Sequence, residues 1–109
     1  MQDPVPLSLA SEVSASVLAI PGVAGFHSGP YGEVALLYPG ARLPGLRLTD
    51  GHLELHVVLD LQALGTNTPL SAVARQIRHA AQHHSPFPVD VIFADATSPV
   101  LVDQPRNTP

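Results

Sequence analysis

Histidine is the residue type in this chain with the widest chemical options, since six histidines occur among 109 residues. His52, Glu54 and His56 alternate along one apolar run, so on a strand their side chains would share a face. Two imidazoles and a carboxylate are ligands that zinc accepts. Successive same-face residues on a strand are about 6–7 Å apart, however, and three of them do not readily close on one ion. The spacing favours a polar sheet face over a metal site.

A second histidine pair, His79 and His83, is four residues apart, which puts both rings on one side of a helix. Such a pair can chelate a metal, but the helix dipole also favours cations in a last turn. Because the sequence places no third ligand, we favour structural or surface roles. The alternative function is a histidine-dependent metal- or small-ligand-binding domain. Its candidate ligands are His52, Glu54, His56, His79 and His83.

Signatures of catalysis are absent from the sequence. Zero cysteines remove thiol nucleophiles, thiolate metal sites and disulfides together. The sequence contains no G-x-S-x-G elbow, no dinucleotide-binding glycine run and no P-loop. A small hydrolase is therefore only a residual alternative. The sequence predicts a non-enzymatic protein without a cofactor.

Composition narrows the class of partner. The net charge is −4, and the five basic residues are all arginines that form no basic run. This pattern argues against nucleic acid and against direct binding to anionic lipid. The first 22 residues lack a positive segment, and serines interrupt their apolar stretch, so we expect neither a signal peptide nor a membrane span. We expect a cytoplasmic location and a single domain.

The N-terminal third begins with a leader at residues 1–8. A helix is predicted from Leu9 to Ile20, with Ser8 as its N-cap and Pro21 just beyond its end. Two short runs, Val23–Ser28 and Glu33–Tyr38, flank a Gly-Pro-Tyr-Gly turn and predict a first hairpin. We expect residues 41–44 to be a connection.

A second hairpin is the clearest structural signal. Asp50-Gly51 separates two alternating runs, residues 45–49 and 52–61, and both turn positions favour positive φ. The implied pairs are Thr49 with His52, Leu48 with Leu53, Arg47 with Glu54, and Leu46 with Leu55. This register puts the leucines on one face, which needs a covering layer.

A second helix supplies that layer. It is predicted from Thr68, as N-cap, and Pro69 to about His84, followed by a strand over residues 88–95 and a flexible tail at 97–109. The predicted fold is α+β, a two-layer sandwich in the order α-β-β-β-β-α-β. Its sheet is mostly antiparallel and carries two helices on one face, within one domain at residues 9–96.

Taken in order, these segments resemble the alkaline-shock protein family, the envelope-stress proteins of Gram-positive bacteria. The resemblance rests on Ile20-Pro-Gly-Val-Ala-Gly25, on Gly45-Leu-Arg-Leu with the strand after it, on the helix from Pro69, and on Val89-Asp-Val-Ile-Phe93. It covers about residues 9–95 and implies a non-catalytic cytoplasmic domain. It also implies self-association and contact with the membrane through an anchored partner protein.

The face of the sheet without helices, or the edge of that face, is the expected interaction surface. Exposed apolar residues around a polar centre are typical of modest protein interfaces. Ile92 on the last strand, with Phe26 and Tyr38 of the first hairpin, are the residues we expect to contact a partner or a second copy.

Overall fold

The computed structural model describes residues 5–97 of the chain. Its helices and strands are α1 (Leu7–Leu18), β1 (Val23–Phe26), β2 (Ala35–Tyr38), β3 (Ala41–Pro44), β4 (Leu46–Thr49), β5 (His52–Asp60), α2 (Leu61–Leu64), α3 (Leu70–Gln82) and β6 (Val89–Thr97). Helices pack against the main sheet, so the predicted α+β class is confirmed. The order differs from the prediction by one extra strand, β3, and one short helix, α2.

Strand β5 lies at the centre of the main sheet. β4 and β1 both pair antiparallel with the same edge of β5, β4 along its first half and β1 along its second half. His56 marks the point between them: its N–H donates to the Gly45 carbonyl, and its carbonyl accepts from the His27 N–H. β6 pairs parallel along the other edge from Leu53 to Asp60. A parallel neighbour requires a crossover connection, which α2 and α3 provide.

The Asp50-Gly51 hairpin forms as predicted. Both turn residues have positive φ, 52° at Asp50 and 78° at Gly51. The four pairs are Leu46 with Leu55, Arg47 with Glu54, Leu48 with Leu53, and Thr49 with His52. The predicted register is therefore confirmed, and it sets which side chains face the helices.

The predicted first hairpin is wrong. β1 pairs with β5, while β2 pairs with β3, which we had expected to be a connection. The turn at Pro39-Gly40 joins β2 and β3 tightly, with Gly40 at φ +75°. Residues 27–34 instead form a longer loop, in which the Glu33 carboxylate accepts the Tyr31 N–H at 3.0 Å. β2 and β3 make a separate two-stranded sheet.

The core lies between the main sheet and the two longer helices. Leu53, Leu55, Val57 and Leu59 of β5 are at most 3% exposed, whereas the alternate residues are exposed or half-buried. The other fully enclosed residues are Ala10, Val13, Val17, Leu46, Ile77 and Ala81. Burying each of the valine, leucine and isoleucine side chains in this core stabilises the fold by about 1.5–3 kcal/mol before chain entropy is counted.

The predicted boundaries of the domain and of its first helix and last strand need three corrections. The predicted leader at 1–8 reaches into the domain, because Val5 is 2% exposed and α1 already begins at Leu7. Ser8 does not cap α1; the N-cap position is Pro6, without a side-chain bond. β6 continues through Thr97, past the predicted domain end. The rest of the predicted tail, residues 98–109, lies outside the described residues.

The start of the crossover was also predicted differently. β5 ends at Asp60, not at Leu61, because the Asp60 carboxylate accepts the N–H groups of Gln62 and Ala63 and starts α2. Thr68 does not cap the next helix, since its hydroxyl donates to the Leu64 carbonyl at 2.6 Å. Within residues 5–97, no helix has the length and apolarity needed to cross a bilayer.

Candidate interaction surface

The open face is the side of the main sheet opposite α1 and α3. Its members share the phase of β5 that points away from the core, together with their neighbours on β4 and β6. They are Arg47, Thr49, His52, Glu54, His56, Val58, Asp90 and Ile92. The face is mostly polar, with Val58 and Ile92 as its apolar residues.

A single carboxylate oxygen organises the centre of the open face. Glu54 Oε1 accepts hydrogen bonds from Arg47 Nε at 3.2 Å and Nη2 at 3.0 Å, and it lies 3.1 Å from His56 Nε2. The side chains of Glu54 and His56 are only 17% and 13% exposed. Strand pairing sets this arrangement, because Arg47 lies opposite Glu54 and His56 is the next same-face residue.

The electrostatics of the cluster favour the ionised carboxylate. The hydrogen bond from His56 is the main cause that lowers the pKa of Glu54 below its ordinary value, and Arg47 lowers it further against partial burial. The pKa of Glu33 is also lowered, chiefly by its own N–H and by that of Tyr31, with smaller effects from Arg47 and His56. The positive charge of Arg47 thus favours the ionised form of both Glu33 and Glu54.

The candidate metal ligands on β5 point toward different partners. His52 Nδ1 lies 3.1 Å from Asp90 Oδ2 on β6, whereas His56 turns to Glu54. Among residues 5–97, no group of three or more histidine, aspartate or glutamate side chains is close enough to hold a metal ion. His52, Glu54 and His56 therefore share a face without converging.

The helical histidine pair does not form a three-ligand site either. His79 and His83 are both exposed at the end of α3. The ring of His83 packs edge-on against His84, with centroids 5.0 Å apart. His84 in turn lies 3.6 Å from Glu12 of α1, so the neighbouring carboxylate is engaged with His84.

The three expected interaction residues separate into two groups. Ile92 lies on the open face, half-buried and paired in register with His56. Phe26 pairs with the buried Val57 and packs against the core, which places it on the helix side of the sheet. Tyr38 also packs against the core, and its hydroxyl donates to the Val5 carbonyl at 2.7 Å. Only Ile92 occupies the expected surface.

Sequence reasoning missed the position of Glu33 near this surface. Glu33, on the loop after β1, comes close enough to Arg47 and His56 to be influenced by their charge. No sequence signal predicts this approach, because it depends on the path of the loop past β4. Leu37 is 70% exposed on the separate two-stranded sheet, where it pairs with Arg42. Its position follows from alternation once the β2–β3 turn is known.

Comparisons with known protein families, with curated proteins and with solved structures found no match for this chain.

Proposed function

We propose that this chain is a non-catalytic protein-interaction domain that binds at Ile92, through the open face of its main sheet or the edge of that face along β6. The observation that carries the proposal is Ile92, an apolar residue that is only half-buried on a face that neither α1 nor α3 covers. Exposed apolar groups beside a polar centre mark protein contact sites.

The Glu54 cluster supports docking rather than catalysis. Charged groups that are already paired and hydrogen-bonded cost less to cover than isolated ones. The carboxylate of Glu54 already engages both Arg47 and His56, so a partner can approach without leaving a lone charge beneath it. A general base, by contrast, needs a free acceptor directed at a substrate.

The cellular setting of the proposal comes from the sequence resemblance to the alkaline-shock family. A scaffold role at the cytoplasmic side of the envelope follows from it, through self-association or a membrane-anchored partner protein. The metal-binding alternative has less support, because the histidines of β5 face separate carboxylates.

The test is Ile92→Glu, compared with Leu37→Glu as the matched control. Both changes put a carboxylate at an apolar strand residue; Ile92 is half-buried on the open face, whereas Leu37 is exposed on the separate two-stranded sheet. We expect Ile92→Glu to reduce association and Leu37→Glu to leave it unchanged. Light scattering over a concentration series measures self-association, and retention of partner protein on immobilised domain measures other contacts.

Circular dichroism must show that both variants fold. If Ile92→Glu unfolds the domain, Ile92 belongs to the core and the proposal is wrong. Equal association of the folded Ile92→Glu variant and the control would also reject the open face as the binding surface.

A further inference from the structure

The outer edge of β6 is unpaired within residues 5–97, where β5 is the strand's sole partner. The Leu53 N–H donates to the Pro88 carbonyl, so residues in phase with Pro88 direct their backbone groups toward β5. Because successive residues of a strand alternate, Val89, Val91 and Phe93 direct their backbone N–H and C=O groups away from β5, toward the open edge. An open row of donors and acceptors is a template for another strand.

Only the central part of this edge is free to pair with another strand. The Val89 N–H donates to Gln82 Oε1 at 3.2 Å, and the Val89 carbonyl accepts from Arg78 Nε at 3.3 Å. At the other end the register shifts just after Phe93, where a bulge interrupts the pairing with β5. The outward backbone groups of Val91 and Phe93 therefore form a short regular segment between two interruptions.

The side chains along this segment are incompletely covered on both faces of the sheet. Val91 and Phe93 lie on the helix side and are half-buried, although the β5 residues beside them are fully enclosed. Ile92 is half-buried on the open face. A partner that docked on one face would cover only one of these sets. An added strand covers both, because its own side chains alternate between the faces.

We propose that a second copy of this chain pairs with β6 in antiparallel orientation about a two-fold axis at Ile92. Val91 of each copy would then lie opposite Phe93 of the other and exchange both backbone hydrogen bonds with it. Ile92 would face its own counterpart across the axis, as a non-hydrogen-bonded pair. This inference rests on the proposed function and names the second copy as the partner.

The distribution of charge along β6 permits this register. Asp90 would lie opposite Ala94 of the second copy, so no two carboxylates face each other. The register therefore places no like charges directly opposite each other, which suits a two-fold symmetric interface.

The absence of native cysteine makes a crosslinking test direct. In a non-hydrogen-bonded antiparallel pair the Cα atoms are about 4.5 Å apart, within the range that a disulfide spans. We expect Ile92→Cys to form a covalent dimer under mild oxidation. The control is Asp90→Cys on the same strand and face, where the two sulfurs would be offset by roughly 13 Å along the strands. It should stay monomeric on a non-reducing gel.

Amide exchange of the unmodified chain gives a readout that no substitution can disturb. The amides of Val91 and Phe93 should exchange more slowly as concentration rises, while light scattering shows the mass doubling. A chain that stays monomeric at every concentration would overturn the inference. So would a dimer in which Ile92→Cys crosslinks no better than Asp90→Cys. If Ile92→Glu also abolishes binding of another protein in either case, the proposed function stands and only the self-pairing fails.

Discussion

Gly45, between β3 and β4, should tolerate a methyl group much less well than Gly40 in the turn between β2 and β3. Its φ is +84°, where an L-residue costs about 1–2 kcal/mol. A Cβ added there would overlap the Phe26 side chain, with ring carbons Cδ1 and Cγ at 2.8 and 2.9 Å. Overpacking of this kind costs about 1–3 kcal/mol more. Gly45→Ala should therefore lower the free energy of unfolding by about 2–5 kcal/mol.

Gly40→Ala is the matched control. Gly40 has φ +75°, but a Cβ there meets nothing within 4 Å, so only the backbone cost of about 1–2 kcal/mol applies. Urea denaturation of both variants at one temperature measures the difference. Equal losses for the two would show that Phe26 moves aside freely, and the packing argument at this position would be refuted.

Three further outcomes follow from burial, charge and ligand geometry. Leu55 is 0% exposed, so Leu55→Ala should lower the free energy of unfolding by about 2–5 kcal/mol. Leu37 is 70% exposed, so Leu37→Ala should change it by about 0.5 kcal/mol or less; urea denaturation measures both. The pKa of Glu54 is lower in the folded state than in the unfolded state. Ionised Glu54 therefore stabilises the fold at a pH above its unfolded pKa, and this stabilisation is lost as the pH falls through its folded pKa. In thermal melts, Glu54→Gln should accordingly lose less stability at acidic pH than the unmodified chain does. Zinc at modest excess should leave the melting temperature unchanged, and a shift that disappears when His52 and His56 are both replaced would restore the metal hypothesis.

Local signals made the central hairpin predictable. Asp50-Gly51 specifies a two-residue turn, and alternation on both sides then fixes which residues oppose each other. The Arg47–Glu54 pair followed from the sequence for the same reason, and the structure confirms it at 3.0 Å. The burial of Leu53 and Leu55 followed as well, since a one-residue slip would have turned them outward.

Pairing between distant segments was not predictable in this way. The run after Pro21-Gly22 matches a strand, but its partner β5 lies more than 30 residues away, and nothing local distinguishes that partner from β2. The placement of Phe26 and Tyr38 depended on this choice, so both were expected on the wrong side. His56 and Glu54 shared a predicted face, but their contact depends on side-chain orientation, which alternation alone does not determine.

The bonding of β5 on both edges has a consequence for synthesis of the chain. β1 and β4 precede β5, whereas β6 closes its other edge only after a crossover of nearly thirty residues. During translation, the leucine-rich strand would therefore carry an open edge until Thr97 has left the ribosome. Open apolar edges promote aggregation of unfinished chains. Chains cut before Val89 should accordingly aggregate or bind chaperones, and soluble, compact truncated chains would show that the first five strands fold without β6.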